Sequence, residues 1–177
     1  YPGETVSVKP LAAKADLFKR WTTVDLSNAL STVEGVTSFV MPKNNVEVTA
    51  EYFTRIESVA VTLDGAVAPK AAFPVSGTYI ANSTQQGVGN VSVVWKNSQG
   101  EEQSGSFAFN TAYTAEVTID LSAEADHLFA SQLKSASING LAATVKSIAD
   151  KSLTLSISYT MPRAKILEKT TFYIVHN

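Results

Sequence analysis

Leu153-Thr154-Leu155-Ser156-Ile157-Ser158-Tyr159-Thr160-Met161 is the stretch that decides the fold class. Large apolar side chains alternate with hydroxyl side chains throughout it. This period of two is typical of a β-strand with one buried and one solvated face. The run Tyr113–Leu121 has the same alternation, with Glu116 and Asp120 on its polar face. We therefore predict an all-β chain whose sheets bury one face each.

Shorter alternating or β-branched runs predict further strands, namely Thr5–Val8, Ser38–Met41, Val46–Glu51, Val59–Leu63, Val91–Trp95, Ser104–Phe109, Ala142–Ser147 and Thr170–Val175. Between them, Asn139-Gly140 favours a two-residue type I′ hairpin because both residues tolerate positive φ. Apolar residues at helical spacing predict two short helices, Leu26–Val33 and Ala123–Ala136.

Composition narrows the function classes. The chain has 177 residues, 45% of them apolar, and contains 19 Ser, 18 Thr and 19 Val, which fits sheets with hydroxyl-rich outer faces. A net charge of −2 gives no basic surface for nucleic acid, and no apolar run reaches the roughly 18 residues of a membrane span. Without cysteine, and with only His127 and His176, thiol catalysis and three-histidine sites are excluded. Because the chain begins at Tyr1 rather than Met, we expect a piece of a longer protein.

Three motifs in residues 1–53 carry a resemblance to a known family, in the order Gly3–Val8, Phe18–Trp21 and Phe39–Ala50. They resemble the Gly-Glu-x-Val-x-Val, Phe-x-x-Trp and Phe-x-Met-Pro-x-x-x-Val-x-Val-x-Ala pattern of divergent internalin-B-type repeats of bacterial surface proteins. The chain departs from that family because its opening strand is missing before Tyr1 and residues 23–35 form a longer segment. The resemblance implies a small β-grasp-like module without catalytic residues.

Residues 56–163 are similar to a module of multidomain surface and S-layer-associated proteins of Firmicutes. The matching motifs are Val91–Trp95, Phe107, Asn110–Ile119, Asn139-Gly140 and Leu153–Pro162. This resemblance implies an Ig-like antiparallel β-sandwich. Trp95 is in phase with Val91 and Val93, so we expect its indole in the core, with Phe107 and Tyr113 packed around it.

A boundary between two domains is expected near Phe53–Ile56. One alternating run ends and another begins there without a Gly- or Ser-rich linker, which predicts a stiff joint. The predicted domains are residues 1–53, the repeat-like module, and residues 54–177, the Ig-like sandwich with a C-terminal strand over Ile166–Asn177.

The polar residues suggest few reactive sites. Glu101 and Glu102 lie at a predicted hairpin tip, where both carboxylates are solvated, whereas glycosidases hold two carboxylates about 5–10 Å apart with one pKa raised. Glu124, Asp126 and His127 cluster near Ser122 and Ser131, but no Gly-x-Ser-x-Gly elbow accompanies them.

Cation and phosphate sites have equally weak signals. Glu51 and Glu57 flank the boundary and are the one candidate pair for calcium. Gly87-Val88-Gly89 lacks the lysine and the following helix of a phosphate loop. We therefore predict no catalytic, metal or cofactor residue.

Three function classes remain. The leading one is a non-catalytic structural or adhesive module of a bacterial cell-surface or secreted multidomain protein. Such a module is extracellular, is monomeric within a longer chain, and has an unknown protein or glycan of the host or cell envelope as its partner. The alternative is a carbohydrate-binding module with Trp21, Tyr79 and Tyr173 as candidates for an exposed aromatic platform. An enzyme is the third class.

Overall fold

The chain is all-β. A computed structural model describes residues 1–24, 26, 33, 35–64, 80–83 and 85–161, with only the backbone described at 64 and 80–82. The strands are β1 Thr5–Val8, β2 Phe18–Thr23, β3 Thr37–Val40, β4 Val48–Tyr52, β5 Thr54–Ile56, β6 Ser58–Asp64, β7 Ile80–Ser83, β8 Val88–Lys96, β9 Ala112–Leu121, β10 His127–Phe129, β11 Ser135–Ile138, β12 Leu141–Ala142, β13 Thr144–Ile148 and β14 Ser152–Thr160. One 3-10 helix, Ala12–Leu17, precedes β2.

Residues 1–52 form two antiparallel strand pairs, β1 with β3 and β2 with β4. Their buried side chains form a small apolar group, which we call the N-terminal cluster: Trp21, Leu26 and Phe39. Phe18 lies against Trp21 with 5.2 Å between ring centroids. Val6, Val8 and other half-buried residues cover this group.

Two four-stranded sheets share one larger core in the rest of the described chain. Their strand orders are β12-β11-β6-β7 and β13-β14-β9-β8. Both sheets contribute side chains to a single group of 17 buried residues, which we call the main core. Trp95 lies in it with only 2% of its surface exposed. The Phe107 ring meets the indole edge-on, and the Tyr113 ring packs on Phe107 and accepts a hydrogen bond from Ala108 N through its hydroxyl.

The alternating runs that predicted β9 and β14 are confirmed. β9 and β14 pair in continuous antiparallel register from Ser152↔Asp120 to Thr160↔Ala112. Their inward side chains are buried except Ile157, which is half-buried, and hydroxyl pairs such as Thr118 with Thr154 lie on the outer face. The Asn139-Gly140 turn is also confirmed, since φ is 52° at Asn139 and 76° at Gly140 between paired β11 and β12.

Two predictions of local structure are wrong. Residues 123–136 do not form a helix but contain β10 and the start of β11, which pair in parallel with β5 and β6. Residues 104–109 do not form a strand. Gly105 turns the backbone there at φ 82°, and Phe107 enters the main core from an irregular segment.

Several predictions lie outside the described residues. They are the C-terminal strand over residues 166–177, with its run Thr170–Val175, and most of the predicted helix Leu26–Val33.

The strands also fix two ends of the main core. The entry end comprises residues 53–54, 120–127 and 150–152, which hydrogen bonds join at Thr54 N to Asp126 O and at Leu121 N to Lys151 O. The far end comprises residues 95–112 and 160–161, joined at Gln103 N to Trp95 O and at Met161 N to Thr111 O. The chain therefore enters β5 at one end of the main core, and β14 finishes at the other.

Candidate functional site

Phe53 is the single residue between β4 and β5, and contacts from both sides surround it. Its N–H donates to Leu17 O at 2.8 Å, while the next N–H, of Thr54, donates to Asp126 O at 2.8 Å. Successive backbone amides are thus bound by opposite neighbours. This leaves the chain little freedom to rotate at the connection.

Two ammonium groups lie near the Phe53 ring. Lys19 Nζ, from β2, is 6.0 Å from the ring centroid, and Lys151 Nζ, from the turn before β14, is 5.3 Å from it. Lys151 Nζ also donates to Ala125 O at 2.6 Å. Cation–π contacts of this kind are worth about 0.5–1 kcal/mol at exposed sites. The ring therefore connects a strand of the N-terminal pairs to a turn of the main core.

Two ion pairs cross the same connection. Lys19 Nζ donates to Asp126 Oδ1, and Arg55 donates to Asp16 at the 3-10 helix. The hydrogen bond from Lys19 lowers the pKa of Asp126 from its ordinary value. Each exposed pair contributes little alone, so it is their combination with the backbone bonds that restrains the connection. We call Asp16, Lys19, Phe53, Arg55, Asp126 and Lys151 the joint.

The group Glu124, Asp126 and His127 lies at the entry end of the main core. Asp126 belongs to the joint, and His127 is the first residue of β10, opposite Thr54. The imidazole Nδ1 faces the Gly87 turn, where a Cβ atom would lie 3.5 Å away. Ser122 N donates to Gly87 O, which ties the same turn to the end of β9. The glycines at 87 and 89 thus serve close packing: a Cβ on Gly87 would lie 2.7 Å from Ala125 Cβ.

Glu101 and Glu102 lie in the turn that the sequence predicted at residues 97–103. Asn97 Oδ1 accepts hydrogen bonds from Gln99 N and Glu101 N, and Gly100 adopts φ 82°. Glu101 and Glu102 are exposed at this turn of the far end. A solvated turn of this kind lacks the buried, apolar surroundings in which catalytic general acids are found.

Glu51 and Glu57, the candidate pair for calcium, each bind a different basic side chain. Glu51 Oε2 accepts from Arg20 Nε at 2.7 Å, and Glu57 accepts from Lys134. Among the described residues, no group of three or more His, Cys, Asp or Glu side chains is placed to hold a metal ion.

The aromatic candidates for a glycan platform do not form one within the described ranges. Trp21 is 4% exposed and belongs to the N-terminal cluster, so its indole cannot stack on a sugar. Tyr79 and Tyr173 lie outside the described residues.

A small depression lies on the β2–β4 pair. It has a volume of about 240 Å³ and is lined by Thr22, Thr23, Val24, Glu47 and Thr49. Ligand pockets usually span about 300–1,000 Å³ with a mainly apolar lining, so this depression is small for an organic ligand. None of the residues singled out as catalytic or aromatic candidates lines it.

The joint itself carries no signal in the sequence beyond the missing linker. Lys19 and Asp126 are 107 positions apart, and Asp16 and Arg55 are 39 apart. Each charge taken singly resembles any solvated surface charge. Only the fold brings the four together.

In the part of the chain that the structure describes, no helix is long and apolar enough to cross a membrane. Comparisons of the chain with protein-family models, with curated proteins and with solved structures find no match.

Proposed function

We propose that the chain is a non-catalytic structural or adhesive unit of a bacterial cell-surface or secreted multidomain protein, and that it acts as a stiff spacer. In this proposal residues 1–53 and 54–177 are two modules, resembling an internalin-B-type repeat and an Ig-like sandwich. The unit is extracellular and holds neighbouring domains at a fixed distance from the cell envelope. Its partner is a protein or glycan that those domains or its own surface contact.

The joint is the observation that carries this proposal. A connection of one residue, with backbone bonds to Leu17 and Asp126 and two crossing ion pairs, supports a narrow range of angles between the modules. A second support is the position of the first and last described strands of this region. β5 begins at the entry end and β14 finishes at the far end, so the described chain between Thr54 and Thr160 starts and finishes at opposite ends of the main core.

Small-angle X-ray scattering tests the stiffness. The wild-type protein is expected to give an elongated particle with a narrow distribution of shapes. The double variant D16N/D126N removes the carboxylates of both crossing pairs and is expected to broaden that distribution. The control is E101Q/E102Q, which removes two exposed carboxylates at the far end and should scatter like wild type. A wild-type particle as flexible as D16N/D126N would contradict the spacer proposal.

Enzyme assays test the proposal that the chain is non-catalytic. A panel of glycosidase, esterase and peptidase substrates is expected to show no turnover above buffer. Turnover that disappears in E124Q, D126N or H127N, while E101Q/E102Q retains it, would contradict the proposal and identify a hydrolase.

A further inference from the structure

β6 and β14 are the strands that would bear a tension applied between Thr54 and Thr160. β6 follows the joint after β5, and β14 is the last described strand. Both run from the entry end to the far end. Ser152, at the start of β14, pairs with Asp120 at the entry end. The late residues Leu63 and Tyr159 both contact Asn139 near the far end.

The common direction of β6 and β14 determines how their hydrogen bonds resist a tensile force. Tension applied at Thr54 draws β6 towards the entry end, while tension applied at Thr160 draws β14 towards the far end. The two forces act in opposite directions along strands that run the same way. Bonds from β6 to β7 and β11, and from β14 to β9 and β13, are therefore loaded simultaneously in shear rather than broken one after another.

Asn139 links these two strands through one side chain. Its Oδ1 accepts a hydrogen bond from Leu63 N at 2.9 Å, and its Nδ2 donates to the Tyr159 hydroxyl at 3.4 Å. An amide side chain can accept and donate at once, which neither a carboxylate nor an aliphatic side chain can do. The backbone holds Asn139 in place, because its N–H donates to Val61 O at 2.8 Å.

We propose that residues 54–161 form a force-bearing unit in which the Asn139 side chain ties together β6 and β14, the two strands that tension loads. This inference rests on the proposed spacer function, since these strands are loaded only when tension acts between the two ends of the main core. The inference goes beyond the spacer function because it assigns a role to Asn139, which is not part of the joint. Tyr159 is 7% exposed and Leu63 is 3% exposed, so removing one partner leaves the other poorly solvated.

Single-molecule force spectroscopy on the full chain tests the geometry. Because the chain has no cysteine, two introduced cysteines define the points of attachment. T54C/T160C applies tension from the entry end to the far end. T54C/Q86C attaches both handles at the entry end, where β6 separates from β7 one residue pair at a time. Unfolding of T54C/T160C is expected to need the higher force, and equal forces in the two geometries would overturn the proposal.

Two further variants test the Asn139 tie. In the T54C/T160C background, Y159F removes only the hydroxyl and is expected to shorten the lifetime at constant force about fivefold, the change made by one hydrogen bond of average strength. N139G removes both bonds yet keeps a residue that tolerates positive φ, and it should shorten the lifetime further. T111V, which removes a loop hydroxyl bonded to Phe109 O, is the matched control and should leave the lifetime unchanged.

The pattern of outcomes separates the two proposals. If Y159F and N139G leave the lifetime at wild-type length in T54C/T160C, Asn139 is not a tie between loaded strands, whatever the scattering shows. If the joint proves flexible in scattering while the two pulling geometries differ as expected, the spacer proposal fails and the force-bearing geometry stands.

Discussion

Trp21 and Trp95 are both buried, but they lie in cores of very different size. Trp21 shares the N-terminal cluster with two other buried side chains, whereas Trp95 is one of 17 in the main core. The N-terminal strand pairs are also short, four to six residues, while β9 and β14 pair along nine successive positions. Among the described residues, the region before the joint thus contributes far fewer buried apolar side chains than the main core does.

This difference indicates how the contacts of the joint bear on stability. Its crossing contacts attach the small region, through Leu17, Asp16 and Lys19, to residues held by the main core. A region with few buried residues is marginal when isolated. Contacts with a stable neighbour favour its folded state, so we expect the two regions to differ in opening free energy.

The largest expected effect is that of Trp95→Ala. The indole contacts Phe107 and Tyr159 at ring-centroid distances of 5.0 and 5.8 Å, so truncation leaves a large cavity. The free energy of unfolding should fall by about 3–5 kcal/mol. Chemical denaturation measures this loss, and hydrogen exchange should show faster exchange of the backbone amides in β9 and β14. A variant that melts within a degree or two of wild type would contradict a single well-packed main core.

Trp21→Ala should have a smaller and more local effect. We expect a loss of about 3 kcal/mol, at the low end of the range for large aromatic side chains, because the thin N-terminal cluster can partly collapse or hydrate. Hydrogen exchange should quicken in β2 and β4 and stay at wild-type rates in β9 and β14. Equal acceleration in all four strands would mean that the two regions unfold as one unit.

The smallest expected effect is a pH dependence of the free energy of unfolding that arises from Tyr159 in the main core. Burial raises the pKa of Tyr159 above its ordinary value of 10.0, against a lowering by the Asn139 hydrogen bond. The folded state therefore keeps the phenol proton at a pH where the unfolded chain has lost it, and this stabilisation is present below pH 10 and lost as pH rises through the folded pKa.

Denaturation at several pH values above 9 checks this dependence. Wild type should lose stability more steeply than Tyr159→Phe, and Tyr1→Phe, which alters an exposed tyrosine, serves as the control. Identical slopes for wild type and Tyr159→Phe would show that the phenol is not involved.

Sequence patterns predicted the long strands well because burial on one face imposes a period of two. The runs Tyr113–Leu121 and Leu153–Met161 correspond to β9 and β14 within one residue at either end. Trp95 was predictable for the same reason, since it is in phase with Val91 and Val93, which also pack on the main core. The Asn139-Gly140 turn was predictable because few dipeptides accept two positive φ angles.

The helix predicted over residues 123–136 was wrong for a physical reason. Leu128 and Phe129 are adjacent and both buried, which a one-sided strand does not allow, so their spacing with Ala125 and Leu133 suggested a helix. Parallel pairing with β5 and β6 overrides that local preference, and no residue within the segment indicates such a partner. The missing linker predicted a joint near Phe53–Ile56, but its ion pairs escaped prediction because they connect positions 107 and 39 residues apart.

The parallel pairing of β6 with β11 also has a consequence for the order of folding. Glu57 and Lys134, at the start of this pairing, are 77 positions apart. During synthesis the β6 segment is therefore complete well before its β11 partner exists, and pairings this distant slow folding to about milliseconds to seconds. Until then the edge of β6 that faces β11 has no partner, and the apolar side chains of Val59, Val61 and Leu63 are not yet buried. Such a strand edge is prone to aggregation. A nascent chain halted between residues 64 and 134 should consequently be the species most dependent on chaperones.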